Sequence, residues 1–298
     1  PGFILKQEAL GLAVMAELPV VVVNIQRAGP STGMPTKTEQ ADLLAAVYGR
    51  NAESPLAVVA PATPGDCFAT MLEAFRIAVR HMTPVVVLSD AYLANSSEPW
   101  LIPDVDALAR FPVVHWTDPT RFAPYLRDPE TLARPWAVPG TPGLEHRIGG
   151  LEGEEITGNV SYSPENHERM VRLRAEKVAR IANDLPALEV NGADRGELLV
   201  VGWGGTLGAI DSAVNEVRAD GLDVSSIHLR HLNPFPPNLG EVLGRFRRVL
   251  VAELNTGQLW RMLRAEFLVP AELLSKVQGQ PFKVAEIRAR IEALLRGV

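Results

Sequence analysis

The chain has 298 residues, of which 47% are hydrophobic and 21% charged, and its 29 Lys and Arg against 35 Asp and Glu give a net charge of −6. This length allows about two domains, and the mild acidity argues against a surface that binds nucleic acid. No apolar run approaches the ~18 residues of a membrane span, and a single cysteine, Cys67, excludes an intrachain disulfide and a self-contained cysteine-ligated metal or iron–sulfur site.

A helix is predicted at the start of the chain, from Phe3 to Glu17. Apolar residues recur there at helical spacing, and Pro19 follows the end of the pattern. The chain opens directly before this helix and without a methionine, so we expect the natural protein to be longer at this end. Nothing in the first residues is typical of a secretory signal peptide, and we expect a cytoplasmic protein.

Two blocks of alternating strands and helices predict two α/β domains. In the first block the strands are 20–25, 56–59 and 85–88, and the helices are about 38–49 and 66–81. In the second block the strands are 198–201, 224–229 and 249–252, and the helices are about 206–220, 238–246, 257–267 and 284–296. Strands so continuously apolar are typical of parallel sheets that helices cover on both faces. We therefore predict two three-layer domains with mainly parallel sheets.

Residues 100–165 differ from both blocks. They are rich in proline and contain the run PGTPGLEHRIGGLEGEE, which predicts an extended connection with turns. A flexible linker is one interpretation, but disordered linkers are poor in aromatic residues, and this stretch holds Trp100, Trp116 and Trp136. An arm packed on a neighbouring surface fits better. The sequence Ser163-Pro164-Glu165 then predicts the start of a helix.

The first strand is followed by Arg27 and by a loop in the sequence NIQRAGPSTGMPTKTEQ, residues 24–40. Ligands of open α/β sheets bind outside the carboxyl ends of the strands, and a guanidinium group suits a carboxylate or a phosphate. The loop adds hydroxyl groups and flexible glycines, and a helix beginning at residues 35–38 would add free N–H groups. The residues allow a small-anion site, or a rigid turn with Arg27 in a surface ion pair.

Three further motifs keep two interpretations each. VGWGGTLG, residues 201–208, is a tight joint between strand and helix or a weak phosphate-binding turn. Cys67 is a small buried residue or a thiol activated by a helix N-terminus. The stretch ELNTGQL, residues 253–259, caps a helix or faces a partner. The histidines show no metal-ligand spacing, no G-x-S-x-G elbow occurs, and we expect no metal site in this chain.

Several long motifs, in order, resemble the α subunit of 2-oxoacid:ferredoxin oxidoreductases, and the 2-oxoglutarate branch most closely. They extend from Pro1 to about residue 290. The motifs are QRAGPSTGMPTKTEQADLLAAVYGRN, PATPGDCFATMLEAFRIA, TPVVVLSDAYLANSSEPW, GLEHRIGGLEG, SPENHERMVRLRAEKV, HLNPFPPNLGEVL and VLVAELNTGQL.

The resemblance implies a domain division and an activity. Residues 1–100 would form a thiamine pyrimidine-binding-like domain, incomplete at its N-terminus, residues 101–193 the connecting arm and helix, and residues 194–298 a domain similar to the transketolase C-terminal domain. The enzyme would oxidatively decarboxylate a 2-oxoacid, 2-oxoglutarate in this case, to an acyl-CoA and pass the electrons to ferredoxin. Coenzyme A would be a co-substrate.

The resemblance also implies a partner. A β subunit would share the thiamine diphosphate and Mg²⁺ with this chain and would hold a [4Fe–4S] cluster, and the assembly would be (αβ)₂. Two other hypotheses stay open. One is a non-catalytic structural subunit, and the other is a thiamine enzyme of the transketolase or branched-chain 2-oxoacid dehydrogenase type.

Carried onto this sequence, the resemblance assigns Arg27 to the carboxylate of the 2-oxoacid, beside the thiamine. Ser31, Thr32 and Thr36 would line the substrate pocket.

The start of the chain, Pro1 and Gly2, would lie near the thiamine pyrimidine. The family's pyrimidine-activating glutamate lies upstream of Pro1, so we expect no catalytic residue in this chain. Glu8 and Glu17 do not match the motif of that glutamate.

Overall fold

Two four-stranded sheets form the framework of the chain, and the computed structural model describes residues 2–108 and 110–297. The first sheet has the order β1-β3-β2-β6, with β1 Val21–Gln26, β2 Ala57–Val59, β3 Val85–Asp90 and β6 His231–Asn233. The second has the order β5-β4-β7-β8, with β4 Gly196–Trp203, β5 Val224–Leu229, β7 Phe246–Glu253 and β8 Glu272–Ser275. Neighbouring strands are parallel except for β2 and β6. The predicted fold class, α/β with mainly parallel sheets, is confirmed.

Helices connect and cover these strands. The α-helices are α1 Gln7–Met15, α2 Leu43–Tyr48, α3 Asp66–His81, α4 Ala91–Asn95, α5 Pro164–Arg180, α6 Leu207–Ala219, α7 Leu239–Gly244, α8 Gln258–Phe267 and α9 Val284–Arg296. Short 3₁₀ turns lie at Ile4–Lys6, Val105–Ala107, Pro119–Arg121, Ile181–Asp184 and Gly204–Thr206. None of the helices within the described ranges is long and apolar enough to cross a membrane.

Three hydrophobic clusters arrange these elements in layers. One face of the first sheet packs against α3 and α5, and one face of the second sheet packs against α6 and α9. The inner faces of both sheets, together with α2, α7 and α8, contribute to a single shared cluster. Side chains alternate between the two faces along each strand, so Val58 and Val86 lie in the shared cluster while Val59 and Val87 face α3. The two sheets therefore form one continuous core.

The structure differs from the predicted elements at three places. Strands β6 and β8 were not predicted because they are short and partly polar, and β6 crosses over to pair with β2, at Val58 with Asn233. The strand β1 was expected to be buried on both faces, but it lies at a sheet edge, and Val23 and Ile25 are each 48% exposed. Of the helix predicted for 38–49, only α2, Leu43–Tyr48, is helical in the structure.

Polar contacts join the carboxyl ends of the two sheets. The Gln40 side chain donates to the Trp203 carbonyl at 2.6 Å and accepts from the Leu254 N–H at 2.9 Å. The Asp90 carboxylate accepts from the Thr38 hydroxyl at 3.0 Å and from the Gly205 N–H at 2.9 Å. These bonds hold residues 38–40 in a non-helical path between the two sheets, which explains why the helix starts only at α2.

The connection before α5 is packed against the body of the protein in its second half. Tyr125, Leu132 and Leu144 are buried, and Tyr125 forms a bridge with Ile156. The arm interpretation is therefore confirmed for this half. In the first half, residues 101–105 are largely exposed, including Leu101.

Candidate functional site

Arg27 lies directly beyond the carboxyl end of β1, as predicted. The preceding residue, Gln26, is buried and fixes the end of the strand, because its side chain donates to the Ser89 carbonyl at 3.1 Å and accepts from the Asp42 N–H at 3.0 Å. In the sheet, Gln26 is in register with Asp90 on β3. The guanidinium group therefore starts from a rigid edge of the first sheet, which is where ligands of α/β sheets bind.

A groove of about 690 Å³ runs between the start of the chain and β1, and Arg27 lines it. Gly2 lines the same groove, so the structure brings these two predicted site residues together. The walls are mostly apolar and include Phe3, Val23 and Ile25. Among the described residues that line the groove, Lys6 and Arg27 are the charged ones, and both are cations.

The cation of Arg27 is available for a ligand. Its Nε atom is buried and has no hydrogen-bond partner in the described ranges. No carboxylate oxygen of residues 2–108 or 110–297 lies within 4.0 Å of its guanidinium nitrogens. A buried polar group without a partner is costly, and this arrangement favours an anion site over the surface ion pair.

The loop that follows Arg27 is a closed turn. The Ala28 N–H donates to the Lys37 carbonyl at 2.9 Å, and the Met34 N–H donates to the Ala28 carbonyl at 2.7 Å. Gly33 has φ +59°, and a Cβ there would lie 2.1 Å from the Ala28 oxygen, so the turn requires glycine.

The predicted pocket residues on this loop lie away from the groove. Ser31, Thr32 and Thr36 are exposed and are not among the described residues that line it. Their assignment to the substrate pocket stays a prediction. Pro1, the other residue predicted to lie near the thiamine, is outside the described residues. The prediction of a helix N-terminus at 35–38 was wrong, because residues 35–36 form a turn, residues 37–40 are not helical, and α2 begins only at Leu43.

Glu39 is a supporting residue that the sequence did not reveal. Glu39 is 7% exposed, and its carboxylate accepts from the Gly29 N–H at 2.7 Å. Gly29 lies two residues after Arg27, so this bond fixes the chain just behind the guanidinium group. No pattern in the sequence distinguishes Glu39 from other acidic residues near the start of a helix.

Replacing Glu39 with alanine should loosen the turn behind Arg27. Without the acceptor, the Gly29 N–H loses its charge-assisted bond, which is worth about 1.5–3 kcal/mol. We expect amide hydrogen exchange at residues 28–34 to become roughly ten times faster or more, measured by mass spectrometry on the variant protein. Glu39→Gln keeps an oxygen acceptor and should exchange more slowly than Glu39→Ala. Equal exchange in all three proteins would contradict the supporting role.

The other sequence motifs have structural explanations. Gly204 and Gly205 form the tight joint after β4, because a Cβ on Gly205 would lie 2.7 Å from Asp90 Oδ2.

Glu253 caps α8 and accepts from the N–H groups of Leu259 and Trp260 at 3.0 and 2.9 Å. Burial raises the pKa of Glu253 despite these bonds. The capping interpretation of ELNTGQL therefore applies.

The lone cysteine lies at the start of α3 and is partly buried. Burial, together with the carboxylate of Asp66, raises the pKa of Cys67, so the thiol is not activated at the start of α3. Within residues 2–108 and 110–297, no group of three or more His, Cys, Asp or Glu side chains is arranged to hold a metal ion.

Two family profiles match this chain and show which family it belongs to. The profile of the family described as "Pyruvate flavodoxin/ferredoxin oxidoreductase, thiamine diP-bdg" matches residues 1–162. The profile described as "Pyruvate:ferredoxin oxidoreductase core domain II" matches residues 196–287. This chain belongs to the α-subunit family of 2-oxoacid:ferredoxin oxidoreductases. The resemblance found in the sequence motifs is thereby confirmed.

Two relatives show how this family member compares in length. The 2-oxoglutarate oxidoreductase subunit KorA of Mycobacterium tuberculosis is 56% identical over 300 residues, which cover 100% of this chain and 45% of the relative. The 2-oxoglutarate synthase subunit KorA of Methanothermobacter marburgensis is 30% identical over 295 residues, which cover 98% of this chain and 78% of the relative. The chain thus spans from about half to three quarters of the length of these relatives.

A solved structure has the same architecture as this member of the family. The 2-oxoglutarate:ferredoxin oxidoreductase from Magnetococcus marinus, with 2-oxoglutarate, coenzyme A and succinyl-CoA bound, superposes with a TM-score of 0.93 at 33% identity. The match covers 99% of this chain and 52% of that one.

Proposed function

We propose that this chain is part of the α subunit of a 2-oxoglutarate:ferredoxin oxidoreductase. The complete enzyme would convert 2-oxoglutarate and coenzyme A to succinyl-CoA and CO₂ and pass two electrons to ferredoxin. The observation that carries the substrate-binding part of the proposal is Arg27 in the groove at the carboxyl edge of the first sheet, with a buried Nε that has no hydrogen-bond partner among residues 2–108 and 110–297. Its support from comparison is the 33% identical structure that has 2-oxoglutarate and coenzyme A bound.

Arg27 would bind the carboxylate next to the 2-oxo group. A guanidinium group and a carboxylate form two parallel, charge-assisted hydrogen bonds, which fix the orientation of the substrate as well as its position. The apolar side chains of Phe3, Val23 and Ile25 line the same groove and would strengthen the ion pair by excluding water. Positioning of this kind lowers the entropic part of the barrier for the reaction.

The groove suits the pyrimidine ring of thiamine diphosphate and does not suit its diphosphate with Mg²⁺. Its apolar walls, with Gly2 at one end, suit a flat heterocycle, and the bound cofactor would supply the nucleophile and the electron sink for decarboxylation. The described residues give no acidic lining to the groove and no ligand cluster for the Mg²⁺ of the diphosphate. We therefore assign the activating glutamate to the upstream part of the α subunit, and the Mg²⁺ site and the [4Fe–4S] cluster to a β subunit.

The assembly follows from the same proposal. We place the active site at the contact between this chain and the β subunit in an (αβ)₂ enzyme of the cytoplasm, where ferredoxin would be the redox partner. Ser31, Thr32 and Thr36 are exposed on the loop beside Arg27 and would complete the substrate pocket there. We retain the division into 1–100, 101–193 and 194–298, with the strand β6 reaching from the last part into the first sheet.

A turnover assay on the complete enzyme tests this function. The α subunit and the chains that co-purify with it are incubated with 2-oxoglutarate, coenzyme A and either oxidised ferredoxin or NAD⁺. We expect ferredoxin reduction that requires coenzyme A, and none of NAD⁺. Reduction of NAD⁺ instead would favour the branched-chain dehydrogenase type. Absence of both turnover and 2-oxoacid binding in the thiamine-loaded assembly would favour a structural subunit.

A further inference from the structure

We propose that Lys6 binds the distal carboxylate of the substrate and thereby selects dicarboxylic 2-oxoacids over monocarboxylic ones. This inference rests on the proposed function and assigns the substrate class to the site. It starts from the juxtaposition of two cations, Lys6 and Arg27, in one apolar groove.

The charge of the groove is unbalanced. None of the acidic side chains in the described ranges lines the groove. Among the same residues, no carboxylate oxygen lies within 4.0 Å of the side-chain nitrogens of Lys6 or Arg27. Lys6 is exposed and keeps its water, but two like charges on one groove still repel each other and attract anions to it. A ligand with two separated anionic groups would balance both charges.

The position of Lys6 suits the distal end of such a ligand. Lys6 is the last residue of the turn Ile4–Lys6, directly before α1, and it is exposed. Side chains of helical residues lean towards the N-terminal end of the helix, which here is the end at Gly2. The flexible stem of a lysine can adjust to a carboxylate about 5 Å from the first one, the span of four carbon–carbon bonds of about 1.5 Å.

Arg27 and Lys6 would then have different tasks. The fork of Arg27 orients the carboxylate beside the reacting carbon, which every 2-oxoacid carries. Lys6 acts as a point charge and contacts a group that only dicarboxylic substrates have. With a monocarboxylic 2-oxoacid, Lys6 would gain no partner, so that substrate would bind without this contribution.

The test compares substrates in the complete enzyme. Lys6→Met keeps the length of the side chain and its helix propensity and removes the charge. We expect kcat/KM for 2-oxoglutarate to fall roughly 10- to 100-fold, mainly through KM, as for the loss of one hydrogen bond to a charged group. The value for 2-oxobutyrate should stay unchanged or rise. Lys6→Arg should recover most of the preference for 2-oxoglutarate.

Lys283 offers a matched control, because it is an exposed lysine before α9 and is not among the described residues of the groove. Lys283→Met should keep the wild-type ratio of the two substrates. An equal loss for both substrates in Lys6→Met would overturn the proposal and point to a contact with the cofactor, and an unchanged ratio would overturn it as well. If the wild-type enzyme converts no 2-oxoacid, the proposed function itself fails, independently of Lys6.

Discussion

Arg27→Ala should lower kcat/KM for 2-oxoglutarate by about 10²-fold or more in the complete enzyme. The variant loses two parallel hydrogen bonds to a charged group, at about 1.5–3 kcal/mol each in other proteins, and leaves the substrate carboxylate without a partner in an apolar groove. The loss should appear in KM where the carboxylate is held equally in the ground state and the transition state, and in kcat where orientation limits the reaction.

Arg27→Lys separates geometry from charge. Lysine keeps the positive charge but cannot form the two parallel bonds of the guanidinium fork, so this variant should also be impaired, though less than Arg27→Ala. Arg247, an exposed arginine on β7 that pairs with Glu197 at 3.2 Å, serves as the control, and Arg247→Ala should retain wild-type kinetics. Steady-state rates with all four proteins that agree within error would contradict the assignment of Arg27.

The stability of the Arg27 variants should remain close to that of the wild type. The side chain forms no salt bridge within the described ranges, and its Nε has no hydrogen-bond partner there. Removing it therefore breaks no described ionic contact. Equal thermal unfolding midpoints for Arg27→Ala and the wild type would show that the kinetic loss comes from the substrate and not from the fold.

Much of the fold could be predicted because it depends on local patterns. The continuous apolar runs gave β1, β3 and β4 close to their observed bounds, and the amphipathic pattern of 66–81 gave α3. The carboxyl-edge rule placed Arg27 correctly, since it depends only on the direction of a strand.

The remaining features depend on contacts between distant segments. The strand β6 exists because residues 231–233 reach β2, which lies more than 170 positions earlier in the chain. The late start of α2 depends on bonds from Gln40 to Trp203 and Leu254. The roles proposed for Lys6 and Glu39 depend on the packing of neighbouring elements beside Arg27. The chemistry of a 2-oxoacid came from the resemblance, because an arginine in a groove specifies an anion and not a reaction.

A buried ionic cluster links the connecting arm to the end of α1, and Glu17 is its centre. Glu17 is 0% exposed, and its carboxylate accepts from Arg127 at 2.6 and 3.0 Å and from Lys177 of α5 at 2.7 Å. Burial acts to raise the pKa of Glu17, but Lys177 and Arg127 outweigh it and lower the pKa below its usual 4.5. Burial lowers the pKa of Lys177 to about 8, so the ammonium remains mostly charged at neutral pH.

Glu17→Gln should destabilise the protein by about 3–5 kcal/mol at pH 7, because two buried cations lose their shared counter-charge. At about 2 °C per kcal/mol for a chain of this size, the thermal midpoint should fall by roughly 6–10 °C. Glu168 provides the control, since its ion pair with Arg172 lies at the surface. The Glu168 side chain is 66% exposed and the Arg172 side chain is 77% exposed. Glu168→Gln should change stability by about 0–1 kcal/mol.

The pH dependence distinguishes a charge effect from a packing effect at Glu17. A carboxyl with a lowered pKa in the folded state contributes stability that is complete above its unfolded pKa, near 4.5, and is lost as the pH falls through the folded value. The gap in stability between the wild type and Glu17→Gln should therefore be largest near neutral pH and should narrow in acid. A gap that stays constant from pH 7 to pH 3 would mean that Glu17 stabilises the arm by packing alone.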